Sequence, residues 1–162
     1  MVVYYSWSGN TRAYAEAMAK KKEMPLFQLM EKKARKTMGK MSFLKACMQG
    51  VMKTETEVVS LPEIHSCDEI FICSPIWADG PAPAVRYFLD KAKLKDKKIS
   101  FLLTYGSTNP DVFKKNIFDI AKDKGCIVEH MYAFSAKFRQ PIDKQAVEDN
   151  IENMALSREV CK

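Results

Sequence analysis

Five short apolar runs punctuate the chain, and between them apolar positions recur at the spacing of a helix. Val2, Val3, Tyr4 and Tyr5 read as a buried strand, and Arg12 to Lys22 places Tyr14, Ala15, Ala17, Met18 and Lys22 on a helical pattern with no breaker. Pro25 to Met30 is a second strand, reached through Lys20-Lys21-Lys22, a basic end that suits a helix C-terminus. Asp68 to Cys73 (DEIFIC) is the third strand, followed by a helix from Ala82 to Ala92 that buries Val85, Phe88 and Leu89. Lys98 to Leu103 (KISFLL) is the fourth. Asn109 and Pro110 then read as N-cap and first residue of a helix carrying Val112, Phe113, Ile117, Ile120 and Ala121, with Gly125 closing it. Cys126 to Phe134 is the fifth strand, and Ile142 to Met154 a last helix with Ala146, Val147, Ile151 and Met154 on one face. This alternation predicts an α/β fold in which a parallel sheet is sandwiched by helices.

The 162 residues suit one domain, expected to span 1–162, with no repeat and no linker. No apolar run approaches the roughly 20 residues of a membrane span. The chain opens directly in a strand pattern without a basic leader, so the expected location is cytoplasmic and the expected partners exclude the membrane. Five cysteines, Cys47, Cys67, Cys73, Cys126 and Cys161, lie far apart with no CxxC pair. That spacing supports neither a zinc site nor a redox dithiol. His65 and His130 lack a partner at catalytic spacing and no GxSxG elbow occurs, so hydrolase chemistry finds no support.

Charge alters the picture in one place. Between Lys32 and Thr56, seven basic residues (Lys32, Lys33, Arg35, Lys36, Lys40, Lys45 and Lys53) face one acid, Glu55. The segment carries +6, and the remaining 19 basic and 19 acidic residues cancel. Within it Ser42 reads as an N-cap and Leu44, Cys47, Met48, Val51 and Met52 recur at helical spacing, with Met38, Met41 and Phe43 leading in. The expectation is a basic helical insertion at about 32–56. Either its methionine face packs on the sheet while the lysines are solvated, or the segment forms a rim over a ligand, a subunit contact or a landing patch for an anion.

Three loops at the carboxyl ends of strands carry the candidate chemistry. Ser6-Trp7-Ser8-Gly9-Asn10-Thr11 joins the first strand to the first helix, where unpaired N–H groups and the helix dipole favour an anion. Ser6, Ser8 and Thr11 add hydroxyl donors, Asn10 reads as the cap, and Gly9 lets backbone approach a ligand. The loop has no lysine, unlike a Walker loop, and lacks the glycines of GxGxxG, so a monophosphate held by neutral donors fits best. The alternative is a hydroxyl-rich turn that caps a helix and binds nothing. The second loop, Ser74 to Pro83 (SPIWADGPAP), is stiffened by Pro75, Pro81 and Pro83, with Gly80 permitting a turn, and it carries Trp77. That indole is either tucked into the core or offered as a flat surface to a ring, and the loop context favours the second. Thr104 to Asn109 is the third loop, small, polar and glycine-containing.

With these loops the chain resembles the flavodoxin-like family, over nearly its whole length. SWSGNT matches that family's phosphate loop, SPIWADGPAP its P-x-W loop, and TYGS at Thr104 to Ser107 its third loop more weakly. The resemblance implies a three-layer sandwich, a five-stranded parallel sheet in the order 2-1-3-4-5, and FMN as cofactor. By it, Ser6, Trp7, Ser8, Gly9, Asn10 and Thr11 hold the ribityl phosphate. Pro75, Ile76, Trp77, Ala78 and Asp79 flank the ring near N5 and O4, and Thr104, Tyr105 and Gly106 meet its far side. No side chain is needed as a catalytic acid or base.

Two departures separate the chain from the family's electron carriers. Those are usually strongly acidic, whereas this chain is +6 with a pI near 9.0, and the basic segment has no place in a minimal carrier. The implied function is an FMN-binding redox protein that takes electrons from a reductant, NAD(P)H being one candidate, and passes them to a redox partner protein or a small-molecule acceptor. The alternative is an NAD(P)H-dependent FMN or quinone reductase, which the basic segment favours through the extra phosphate of NADPH. A module binding nucleic acid or another anion is the reading from a different class, and no nucleic-acid motif accompanies the charge. A homodimer is left open.

Overall fold

The structure, a computed structural model, describes residues 1–33, 35, 40–136, 140 and 142–154. In chain order the elements are β1 (Val2–Tyr4), α1 (Asn10–Lys22), β2 (Leu26–Gln28), α2 (Lys40–Val51), β3 (Glu69–Trp77), β4 (Gly80–Pro81), α3 (Pro83–Lys91), β5 (Lys98–Tyr105), α4 (Pro110–Asp123), β6 (Ile127–Ser135) and α5 (Lys144–Asn153). The strands run in the order β2-β1-β3-β5-β6, and each pair along that path is parallel. The two-residue β4 is antiparallel to β3 and lies off the path. The α/β parallel architecture is therefore present. The strand count and numbering differ from the expected 2-1-3-4-5 by this added ribbon, which the prolines of the second loop disguised as a plain turn.

Strand residues alternate between two cores, as parallel strands covered on both faces must. Val3, Ile70, Ile72, Ile99, Phe101 and Leu103 face one side and pack with Val85, Phe88 and Leu89 of α3 and Phe113 and Ile117 of α4. Val2, Tyr4, Phe71, Cys73 and Leu102 face the other, against Tyr14, Ala15 and Met18 of α1 and Val147 and Ile151 of α5. Fully burying a side chain such as Phe101 or Leu103 contributes about 1.5–3 kcal/mol. The Cys73 thiol, wholly inside the second core, is pushed far up by burial, so it serves as a small apolar residue.

Helix ends follow local chemistry. Asn109 Oδ1 accepts the Asp111 N–H (2.9 Å) with Pro110 next to it, and Gly125 takes φ 71° after α4. Asp143, not singled out in the sequence, caps α5 by accepting the Gln145 and Ala146 N–H groups. Asn10 is the first residue of α1 and is buried. Gly9, at φ 95°, holds the cap position without a side-chain bond, so the expected Asn10 cap is corrected. Ser42 likewise lies inside the first turn of α2.

Helix α2 does not lay its methionine face on the sheet. Ala46 and Gly50 face inward, whereas Leu44, Met48, Val51 and Met52 are 55–71% exposed. The reason is close approach: a Cβ on Gly50 would stand 2.6 Å from the Trp77 carbonyl oxygen. Met38 falls outside the described residues, as do the side chains of Met41, Phe43 and Cys47. Beyond α2 the chain returns beside the sheet edge, where Lys32 N–H donates to the Glu57 carbonyl (2.9 Å) and Val59 N–H to that of Met30 (2.8 Å).

Asp90 of α3 is held by Lys124 beyond α4 and by Lys91, which lower its carboxyl to about 2. A depressed carboxyl adds stability that is present above the unfolded carboxylate range and lost as the pH falls toward 2. Asp90→Asn is therefore expected to lower Tm at pH 7, and the difference from the parent is expected to vanish near pH 2. Thermal unfolding across that range measures both.

Candidate functional site

A cleft of about 550 Å³ opens at the carboxyl edge of the sheet. Trp7, Ser8 and Asn10 reach it from the loop after β1, Pro75, Ile76, Trp77 and Ala78 from the end of β3, and Thr104, Tyr105 and Gly106 from the end of β5. The chain departs from β1 toward β2 on one side and returns to β3 on the other, so the loops diverge between β1 and β3 and leave space. The three polar loops picked out in the sequence thus meet at one place.

Their residues play different parts. Ser6 Oγ accepts the Gly9 N–H (3.1 Å) and shapes the turn. Gly9 is exposed, and nothing lies within 4 Å of where a Cβ would sit, so its value is the positive φ. Thr11 is buried and its hydroxyl pairs with that of Thr104 at 2.7 Å, joining the start of α1 to the end of β5. Asp79 turns away, its carbonyl accepting from Asn116 Nδ2 at 2.9 Å. Ser6, Gly9, Thr11 and Asp79 do not line the cleft, and the other ten expected residues do.

The indole of Trp77 is presented by a hairpin rather than by a loose loop. Ile76 pairs with Pro81 and Trp77 with Gly80, leaving Ala78 and Asp79 as a two-residue turn with φ 45° and 63°. Left-handed backbone at both central positions matches the twist of the strands but strains non-glycine residues. Gly80 lies against the Arg86 guanidinium, which a Cβ there would displace. Trp7 meets Trp77 edge-to-face at 5.8 Å, and Tyr5 meets it from below at 5.9 Å. Burial, together with the nearby Glu31 carboxylate, pushes the Tyr5 phenol far up, so it stays neutral.

Four lining residues were not among the expected site residues: Ala46 of α2, Ser107 and Thr108 of the third loop, and Ala136 after β6. Ser107 and Thr108 continue the polar run after Tyr105, a signal that was available. Ala46 and Ala136 carry none, because a small apolar residue looks the same in a core and in a cleft wall. Thr108 Oγ1 is buried and has no hydrogen-bond partner among the described residues, an orphaned hydroxyl at the cleft. Among the described lining residues there is no carboxylate, histidine, thiol, lysine or arginine. Such a wall can stack a flat ring and donate neutral hydrogen bonds, and it supplies no strong acid or base.

An open parallel sheet with a cleft at its β1/β3 switch point defines a class of ligand-binding α/β folds. Within that class the fold is flavodoxin-like. A flavoprotein from Lactobacillus acidophilus, solved in complex with FMN, superposes with a TM-score of 0.68 at 21% identity, over 82% of this chain and 90% of that one. A protein from Bacteroides uniformis described as a flavoprotein gives 0.75 at 17% identity, over 94% and 96%. An oxidised flavodoxin from Bacillus cereus gives 0.57 at 17% identity, over 95% and 92%. No protein-family model and no curated protein matches the chain. Among the described residues no helix is long and apolar enough to cross a membrane.

Because Gly50 lets α2 lie against the Trp77 carbonyl, Gly50→Ala is expected to push α2 outward and move Ala46 off the cleft. Intrinsic fluorescence measures this, since Trp7 and Trp77 are the chain's two tryptophans. The expected outcome is a red-shifted emission with the fold retained by circular dichroism.

Proposed function

We propose that the protein binds FMN in this cleft and works as a flavodoxin-like redox protein, its chemistry being that of the bound flavin. The observation that carries the proposal is the lining itself: two indoles and a phenol around a cleft whose described lining residues include no carboxylate, histidine, thiol, lysine or arginine, beside a helix start built of hydroxyls and glycine. The volume is that of a small-molecule site. Trp77 and Tyr105 offer faces to an aromatic ring. The first turn of α1 contains no acidic residue and directs its N–H groups outward, where Ser8 adds a hydroxyl for a phosphate. Thr108 has a buried hydroxyl to give. These residues fit a flavin mononucleotide, and the fold shared with a flavoprotein solved with FMN supports the same ligand.

A bound flavin supplies electron transfer without help from a titrating side chain. The residues of this chain bind and orient: Trp77 and Trp7 form the apolar wall, the loop after β1 holds the phosphate end, and Thr104 to Thr108 close the far side. A redox partner protein or a small-molecule acceptor would meet the ring at the open mouth. The exposed Lys33, Lys45 and Lys53 near α2 favour, as a second reading, an NAD(P)H-dependent FMN or quinone reductase, because a dinucleotide phosphate would find cations there.

Two measurements test this. Trp77→Ala is expected to weaken FMN binding by about 1–3 kcal/mol through lost stacking and burial, read by titration. Anaerobic stopped-flow mixing of the FMN-loaded protein with NADH and with NADPH separates the two readings. Bleaching of the flavin band, faster with NADPH, supports the reductase. Absence of bleaching with either leaves the electron carrier.

A further inference from the structure

Against the two indoles, and not among the residues that line the cleft, Arg35 is nearly buried beside Glu31, their side chains 12% and 3% exposed. Its Nε lies 2.9 Å from Glu31 Oε2, and its Nη2 donates to Glu31 Oε1 (2.9 Å) and to Gln49 Oε1 of α2 (2.7 Å). The same Nε reaches the Tyr5 hydroxyl at 3.2 Å. The guanidinium carbon sits 4.7 Å from the centroid of the Trp77 ring and 5.6 Å from that of Trp7. One cation therefore touches both indoles of the cleft, the end of β1 through Tyr5, and the rim helix through Gln49.

Burying an ion pair is costly, and replacing one with apolar side chains is often neutral or stabilising, so stability alone does not explain why a charge is kept here. Position does. A guanidinium over an indole is held by the ring quadrupole and fixes the plane of the ring. Burial works against the charge, yet the hydrogen bond to Glu31 and the neighbouring Tyr5 more than offset it, so Arg35 stays cationic. The guanidinium is directed at the rings, with Glu31 as its counter-ion.

We infer that Arg35 is a positioning residue for the flavin site: it fixes Trp77 and Trp7 as the cleft wall and places a permanent positive charge against that wall, where it favours the reduced cofactor. The inference rests on the flavin reading for its electrostatic half and not for its structural half. Reduction adds two electrons and one proton to the ring, taken from dithionite and water in a titration, and leaves it anionic. A cation one indole away stabilises that form over the neutral oxidised one. Glu31, as counter-ion, opposes this.

The two carboxamide variants therefore separate charge from packing. Arg35→Gln is expected to shift the midpoint potential of bound FMN negatively, and Glu31→Gln to shift it positively. Arg35→Lys, which keeps the charge, is expected to restore most of the potential. A shift equivalent to tenfold weaker binding of reduced relative to oxidised FMN is ~30 mV for a two-electron couple. A purely structural cluster would weaken both redox forms alike in both variants. Equal or same-sign shifts overturn the electrostatic claim. Should Arg35→Gln fail to fold, Glu31→Gln decides alone: a raised potential upholds the inference and an unchanged or lowered one overturns it.

The structural half is read without flavin. Because both tryptophans lie on Arg35, Arg35→Gln is expected to change the emission of the cofactor-free protein, and an unchanged emission overturns the positioning role. Failure of the parent protein to take up FMN at all counts instead against the flavin reading.

Discussion

The parallel register of β1 against β3, from Val2 opposite Phe71 to Tyr4 opposite Cys73, is the constraint on which the rest of the structure depends. It makes β1 and β3 neighbours although α1, β2 and α2 lie between them in sequence. The loops leaving their carboxyl ends must then diverge, one into α1 and the other into the β4 hairpin. The cleft is the space so created. Its two indoles come from either side of that divergence, Trp7 from the loop after β1 and Trp77 from the end of β3, and they meet edge-to-face in one wall of it. The hydroxyl pair of Thr11 and Thr104 closes the arrangement beneath, tying the start of α1 to the end of β5.

Much of this was legible in the sequence, for physical reasons. Parallel strands buried on both faces leave continuous apolar runs, and Ile70 to Cys73 is one such run. Asn109-Pro110 and Gly125 mark the ends of α4 because capping is local chemistry. The hairpin after β3 was hidden, since its first left-handed residue is Ala78, a type that seldom adopts positive φ, and Gly80 lies just outside the two-residue turn. Arg35 was also hidden. In the sequence it is one of seven basic residues in a charged run, and only the fold brings it under two indoles from other elements.

The local charge of +6 thus divides into parts of different kinds. Arg35 is drawn inward and paired with Glu31, and Lys32 pairs with Glu57 at the surface, where such a bridge contributes little. Lys33, Lys45 and Lys53 stay exposed, as do the apolar Leu44, Met48 and Val51 of α2. The cleft wall itself is neutral, so a phosphate would be held by backbone and hydroxyl donors and not by a fixed cation. On the proposed reading, binding would fall to the loop after β1 and electrostatic tuning to Arg35 beside the indoles.

The central claim is that the cleft recognises a flavin together with its phosphate. Parallel fluorescence titrations of the cofactor-free protein with FMN and with riboflavin test it most directly. FMN emission is expected to be quenched on binding by the indole wall, and FMN to bind at least about tenfold more tightly than riboflavin, since ~1.4 kcal/mol is a modest yield for several phosphate contacts. Equal affinity for both ligands would remove the phosphate from the loop after β1. Absence of quenching with either would contradict the claim as a whole.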